Sequence, residues 1–179
     1  MSLASSIVEE AKPAQAGEIG EFLLEAWLEA GPNALGWIGA VKDSINVISS
    51  NKFWGSILSD PNRKSFICRD ANKVVGFAVI RKITDKEIEL AGIIVIQNSL
   101  GHGFGSLMIR RAVEWATDSH FERMLVKTEL ENERAISFYK SKGFLECGKD
   151  IEEVDGMKVQ VLILSLKLGG RSAQEQSKR

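Results

Sequence analysis

The run Leu100-Gly101-His102-Gly103-Phe104-Gly105-Ser106 sets three alternate glycines between an apolar strand-like run, Gly92 to Ile96, and an amphipathic helix-like run, Ser106 to Thr117. Lacking a Cβ, glycine lets successive backbone N–H groups turn inward and approach an anion closely. At a helix N-terminus, where the first amides lack partners and the dipole is positive, such a loop is built to hold a phosphate or pyrophosphate. It is not a phosphate loop of the NTPase type, which needs Lys then Ser or Thr after its last glycine; here Ser106 and Leu107 follow Gly105. It is not the dinucleotide fingerprint either, whose third glycine would fall at Ser106 or Met108. A tight strand-to-helix turn with no ligand is the alternative.

A second segment lies downstream: Asn132-Glu133-Arg134-Ala135-Ile136-Ser137-Phe138-Tyr139-Lys140-Ser141-Lys142-Gly143-Phe144. It resembles the N-x-x-A-x-x-F-Y-x-K-x-G-F segment of the GNAT N-acetyltransferase superfamily, matching at Asn132, Ala135, Phe138, Tyr139, Gly143 and Phe144. The glycine loop is similar to that superfamily's Q/R-x-x-G-x-G/A acetyl-CoA loop. Two positions depart from the pattern. Ser141 replaces a lysine but is flanked by Lys140 and Lys142, and Leu100 stands where the loop begins with Gln or Arg.

The resemblance implies an acetyl-CoA-dependent transfer of an acetyl group to a primary amine, with acetyl-CoA as cosubstrate and no metal. A free alkyl amine has a pKa near 10, so only about one in a thousand is neutral at pH 7 and a base must take its proton. Glu89 occupies the strand position where several such enzymes carry a Glu. Glu87, on the same strand face, and Glu129 are the other options. Tyr139, the only tyrosine in the chain, stands where the family places the acid that protonates the departing thiolate. Ile94 and Val95 would line the thioester, a backbone N–H near Val95 facing the carbonyl oxygen. Gly101, His102, Gly103, Phe104, Gly105 and Ser106 would cradle the pyrophosphate, and Asn132 would touch the cofactor. Asn132 equally suits a helix N-cap, and Lys142 is either near the nucleotide end or a solvated helix-end lysine.

The acceptor is expected to be a small amine such as a polyamine, in line with a loose similarity of Trp27 through Trp54 to polyamine-type enzymes. A protein N-terminus or lysine is the alternative acceptor. A non-catalytic acetyl-CoA sensor or interaction module is the alternative of another class. Trp27, Trp37 and the Gly31 to Gly36 turn are candidates to shape the acceptor end, and Glu25 and Glu29 to attract a cationic amine.

These groups must be positioned by a set of elements that the pattern outlines. Ile7 to Ala11 reads as a strand, and Ile19, Phe22, Leu23, Ala26 and Trp27 recur at helical spacing until Gly31-Pro32-Asn33 stops them. A second helical region runs from Trp37 to Leu58, broken near Ser49-Ser50-Asn51, and Asp60-Pro61-Asn62 is a turn. Ser65 to Arg69, Lys73 to Lys82 and Glu87 to Ile96 are strand-like, joined by turns at Asp70-Ala71-Asn72 and Thr84-Asp85-Lys86. Gly92 inside the third suggests a bulge or a close backbone approach. After the loop helix come a strand from Arg123 to Glu129, a helix from Asn132 to Lys142 capped by Gly143, and strands Phe144 to Gly148 and Met157 to Leu168. The order β-α-α-β-β-β-α-β-α-β-β fits a GNAT-type α+β fold, a mixed, mainly antiparallel sheet of about seven strands flanked by helices. One domain is expected over residues 1–168, with a disordered tail over 169–179.

Composition is consistent with this. The chain has 179 residues, 44% apolar and 26% charged, with a net charge of −1, so nothing favours nucleic acid or an anionic membrane surface. No apolar run approaches the roughly 20 residues that span a bilayer, the N-terminus shows no signal-peptide pattern, and a cytoplasmic location is expected. Cys68 and Cys147 are expected as reduced, buried thiols, and with His102 and His120 the only histidines no zinc site is expected. The family often dimerises through its C-terminal strands or helices, with Met157 to Leu168 as a candidate edge, so the resemblance also implies a homodimer.

Overall fold

The computed structural model describes residues 7–30, 50–154 and 157–169. Trp37, the Gly31-to-Gly36 turn, the Asp155-Gly156 turn, the side chain of Trp27 and the tail beyond Gly169 lie outside what is described. The elements are β1 (Ile7–Glu10), α1 (Ala16–Ala30), α2 (Asn51–Ser59), β2 (Arg63–Asp70), β3 (Lys73–Lys82), β4 (Glu87–Val95), α3 (Phe104–Asp118), β5 (Arg123–Glu129), α4 (Glu133–Ser141), β6 (Leu145–Val154) and β7 (Met157–Lys167). This is the expected order. Two short 3-10 turns, Pro13–Gln15 and Gln97–Ser99, were not read from the pattern.

The strands form one seven-stranded sheet in the order β1-β2-β3-β4-β5-β7-β6. Every pairing is antiparallel except β4 with β5, which is parallel. That parallel ladder is short: Glu87 pairs with Arg123, Ile88 with Met124 and Glu89 with Leu125, and there it stops. Beyond Glu89 the two strands part, and the sheet opens between the C-terminal halves of β4 and β5. A register shift in the β3–β4 ladder, where Val79 faces Gly92 and Ile80 faces Leu90, leaves Ala91 as an extra residue. This bulge, one position from the expected Gly92, bends β4 away from β5 where the gap begins.

Helices cover both faces. Trp54 of α2 stacks edge-on against Phe77 of β3, at 5.4 Å between ring centroids, so α2 lies on the face to which Phe77 points. Met108 of α3 lies over Gly76, the next residue, on the opposite face; a Cβ at Gly76 would sit 2.6 Å from the Met108 Cε. Between the layers Ile19, Phe66, Ile67, Ile80, Met108, Met124, Phe144 and Leu164 are all but fully buried.

Local chemistry explains most element ends. Ser50 caps α2 through its hydroxyl, which accepts from the Phe53 amide at 3.3 Å. Ala71 and Asn72 adopt positive φ in the β2–β3 hairpin, and the Thr84 hydroxyl accepts from the amides of Lys86 and Glu87 in the next. Three readings need correction. α3 begins at Phe104 rather than Ser106, because Gly103 at φ +90° is its N-cap. β6 runs on to Val154 through the polar stretch Lys149–Glu153, held by its ladder with β7 rather than by burial. Cys147 is exposed on this edge strand while Cys68 is buried, and burial pushes the Cys68 thiol up to about 11.

Candidate active site

None of the six amides from Gly101 to Ser106 donates to an acceptor among the described residues; the first bond of α3 runs from the Leu107 amide to the Gly103 carbonyl at 3.1 Å. Positive φ at Gly101 (+80°) and Gly103 (+90°) wraps this run of free donors around the helix start. L side chains rarely adopt such a conformation, which is why glycine stands at both positions. The amides and the positive end of the helix dipole make an anion cradle of the kind that holds pyrophosphate. Phe104 contributes its backbone here, since its side chain is buried in the core. His102 is exposed, its ring 6.3 Å from that of Phe104, and its side chain is not part of the cleft lining. Leu100 lines the rim without supplying a donor.

From this cradle a cleft of about 880 Å³ runs into the gap between β4 and β5, at the upper end of ordinary small-molecule sites. Antiparallel pairing determines which backbone groups face it. The Ile96 amide donates to the Val75 carbonyl at 3.0 Å, and Gly76 is paired with Val95. Bonded pairs alternate along such a ladder, so Ile94 is bonded to Phe77 while the N–H and C=O groups of Ile93 and Val95 turn toward the gap. Val95 thus turns its N–H toward the gap. Ile94 lines the cleft through its side chain only, and Ile93, not singled out in the sequence, offers its backbone instead. Its alternation with Val95 was the available signal.

Tyr139 reaches the same cleft from α4 and is 7% exposed. Its ring packs on Phe144 at 5.7 Å between centroids, and its hydroxyl has no hydrogen-bond partner among the described residues. Burial pushes the phenol up to about 12, so it holds its proton throughout the neutral range. Asn132 is the N-cap of α4, its Oδ1 accepting from the Ala135 amide at 3.0 Å, and it also lines the cleft, so both expected roles remain open to it. Arg134, exposed on the first turn of α4, brings a cation to the cleft that the pattern did not flag. Lys142 lies with its ammonium 5.5 Å from the centre of the Phe138 ring.

The opposite face of the gap is polar. Strand register places Glu89, Lys127 and Glu129 with Phe77 on the α2 side of the sheet, together with Asp150, Glu152, Val159 and Val161. Glu89 is 12% exposed, lines the cleft and accepts from the Arg81 guanidinium at 2.6 Å. Glu129 lines the cleft as well. Glu87 is on the Glu89 face but outside the cleft, at the closed end of the gap, where it is bonded to Arg123. Of the α1 carboxylates, Glu25 is paired with Lys73 at 2.8 Å and Glu29 accepts from Asn98 at 3.4 Å; neither lines the cleft.

The chain matches the Acetyltransferase (GNAT) family over residues 21–144, more than half its length. It is 27% identical over 97 residues to an uncharacterized N-acetyltransferase of Mycobacterium tuberculosis, covering 54% of this chain and 62% of that protein. The chain thus spans just under two thirds of the length of the curated relatives it matches. Among solved structures, the fold is similar to a GNAT-family acetyltransferase of Streptococcus pneumoniae (TM-score 0.70, 23% identity, covering 92% of this chain and 99% of that one). It is similar too to spermidine N-acetyltransferase of Vibrio cholerae in complex with CoA and spermine (0.71, 19%, 92% and 96%). The ribosomal-protein-S18-alanine N-acetyltransferase of Escherichia coli gives 0.68 at 17%, covering 93% and 97%. Cradle, opened sheet and matching profile agree: the chain belongs to the acetyltransferase (GNAT) family.

Proposed function

We propose that the protein transfers an acetyl group from acetyl-CoA to a primary amine of a small, multiply charged acceptor such as a polyamine. The observation that carries this reading is the gap between β4 and β5, with free amides and Tyr139 around one end and the carboxylates of Glu89, Glu129 and Glu152 on the other face. Acetyl-CoA, when bound, supplies the activated thioester. The amides from Gly101 to Ser106 hold its pyrophosphate, and the backbone groups of Ile93 and Val95 suit an amide-bearing arm laid in the gap as a strand would be.

Glu89 takes the proton that the attacking ammonium must lose, directly or through water. The Val95 N–H donates to the carbonyl oxygen as charge develops on it. As the new C–N bond forms and the C–S bond breaks, the Tyr139 hydroxyl donates its proton toward the departing sulfur. The phenol's high pKa suits a group that must arrive protonated. A thiolate leaving into the same dry surroundings gains proton affinity for the same reason, which narrows the mismatch between the two.

The acidic side of the cleft favours a cationic small molecule. Thermal unfolding with and without acetyl-CoA is the first test: a ligand at about a hundred times its Kd adds roughly 2.7 kcal/mol, or about 5–11 °C for a chain of this size. Acetyl-CoA and CoA should raise the midpoint while ATP and NAD do not. Spermidine and an alanine-first peptide, offered as alternative acceptors, should then differ in favour of spermidine. No midpoint rise at millimolar acetyl-CoA would overturn the cofactor reading.

A further inference from the structure

Lys127 is the only basic side chain lining the cleft between the carboxylates of its α2-side face, among the described residues. It stands on β5 and reaches across β7, over the row that contains Ile163, to β6 beyond. There its Nζ lies 2.7 Å from Glu152 Oε1 and 3.5 Å from Asp150 Oδ2. The side chain is 25% exposed, and the Glu152 carboxylate beside it holds its ammonium firmly protonated. Glu89, which acts on Lys127 through space, borders the same face and carries Arg81 as its own partner. Glu129 follows two residues along β5.

A fixed cation here is unexpected if the acceptor is itself cationic. An ammonium beside the path of a charged amine repels it, and of the two β6 carboxylates that oppose this repulsion only Glu152 lines the cleft. We infer that Lys127 is a specificity-determining residue, which sets the net charge of the acceptor half of the cleft and so limits how strongly multiply charged amines are preferred over singly charged ones. The inference rests on the acceptor reading proposed above. The bland alternative is a clamp, in which Lys127 and Glu152 merely tie β5 to the outer strand.

Substitution at each end of this bond separates the two. A clamp is lost equally from either end, whereas a charge effect changes sign. Lys127→Met removes a positive charge from the acceptor face, and Glu152→Gln removes a negative one. The readout is the ratio of kcat/KM for spermidine to that for heptylamine, a monoamine of similar reach, at low salt. One unit charge acting on another across about 12 Å at an effective dielectric near 20 is worth about tenfold. The ratio should therefore rise about tenfold in Lys127→Met and fall by a similar factor in Glu152→Gln. The double variant should return toward the parent, and Lys127→Arg should stay within about threefold of it. Raising ionic strength should shrink both effects. The midpoint rise with acetyl-CoA, measured on each variant, shows that it is folded and holds the cofactor. If both single variants shift the ratio in the same direction, or neither does, the role of Lys127 is overturned. If the parent protein transfers acetyl to neither amine although acetyl-CoA raises its midpoint, the acceptor reading itself is overturned and the Lys127 inference goes with it.

Discussion

Gly105 and Phe138 are in such close approach that a Cβ at position 105 would lie 3.1 Å from the Phe138 Cζ. This contact joins the start of α3, whose amides form the cradle, to α4, which carries Tyr139 on the next residue. The third glycine of the loop thus stands where helix-to-helix packing leaves little room for a side chain, rather than where backbone conformation demands glycine.

Gly105→Ala therefore sets two effects against each other. Alanine gains up to about 1 kcal/mol of helix propensity, while the Phe138 ring must yield by a few tenths of an ångström. The unfolding midpoint should stay within about 2 °C of the parent, and the Kd for acetyl-CoA should weaken severalfold as Phe138 and Tyr139 shift. Gly105→Val should overpack and lose about 1–3 kcal/mol. Calorimetry and titration with acetyl-CoA check both; a valine variant with parental stability and affinity would show that the contact does not couple the two helices.

Tyr139→Phe removes one oxygen that has no partner among the described residues, so no buried group is stranded. Stability near pH 7 and the Kd for acetyl-CoA should be unchanged, within about 0.5 kcal/mol each. If the phenol donates to the leaving sulfur, kcat should drop by about 10²-fold or more. Transfer at the parental rate with the best acceptor would remove Tyr139 from the chemistry.

The same residue has a signature in alkali. Folding raises the Tyr139 phenol from its ordinary value near 10 to about 12, so above pH 10 the unfolded chain releases a proton that the folded protein retains. Its contribution is complete below about pH 10 and is lost as pH rises through 12, a total of about 2–3 kcal/mol. Cys68, raised to about 11, contributes in the same direction from about pH 9. In urea unfolding followed from pH 8 to 11, stability should fall with pH, and Tyr139→Phe should fall less steeply above pH 10. Parallel curves for the two proteins would contradict the burial of the phenol.

What could be read from the sequence shares one property: the groups concerned are close together along the chain. The cradle occupies six consecutive residues, Asn132 to Tyr139 lie on two turns of one helix, and the order of elements follows from local periodicity. What was missed depends on pairing between strands. The tie from Lys127 to Glu152 crosses a third strand, the bond from Arg81 to Glu89 spans a hairpin, and the orientation of the Ile93 and Val95 amides follows from the bonded pair at Ile96 and Val75. Glu87 and Glu89 look alike in an alternating strand, yet one is inside the closed ladder against Arg123 and the other on its last rung, where the gap begins. Strand register, which local pattern does not supply, decides between them.

Glu89 accepts a bond from Arg81 at 2.6 Å and is 12% exposed, whereas Arg81 is 47% exposed, so the pair sits at the edge of the cleft with its carboxylate inward. Glu89→Gln keeps an oxygen for Arg81 and should fold as the parent does. If Glu89 takes the acceptor's proton, kcat should fall about 10²-fold while the Kd for acetyl-CoA holds. The loss should be largest near pH 7, where almost all acceptor amine is protonated, and should shrink as pH approaches the amine's own pKa near 10. If Glu89→Gln lowers the rate by the same factor at every pH from 6 to 10, the residue positions the acceptor and does not take its proton.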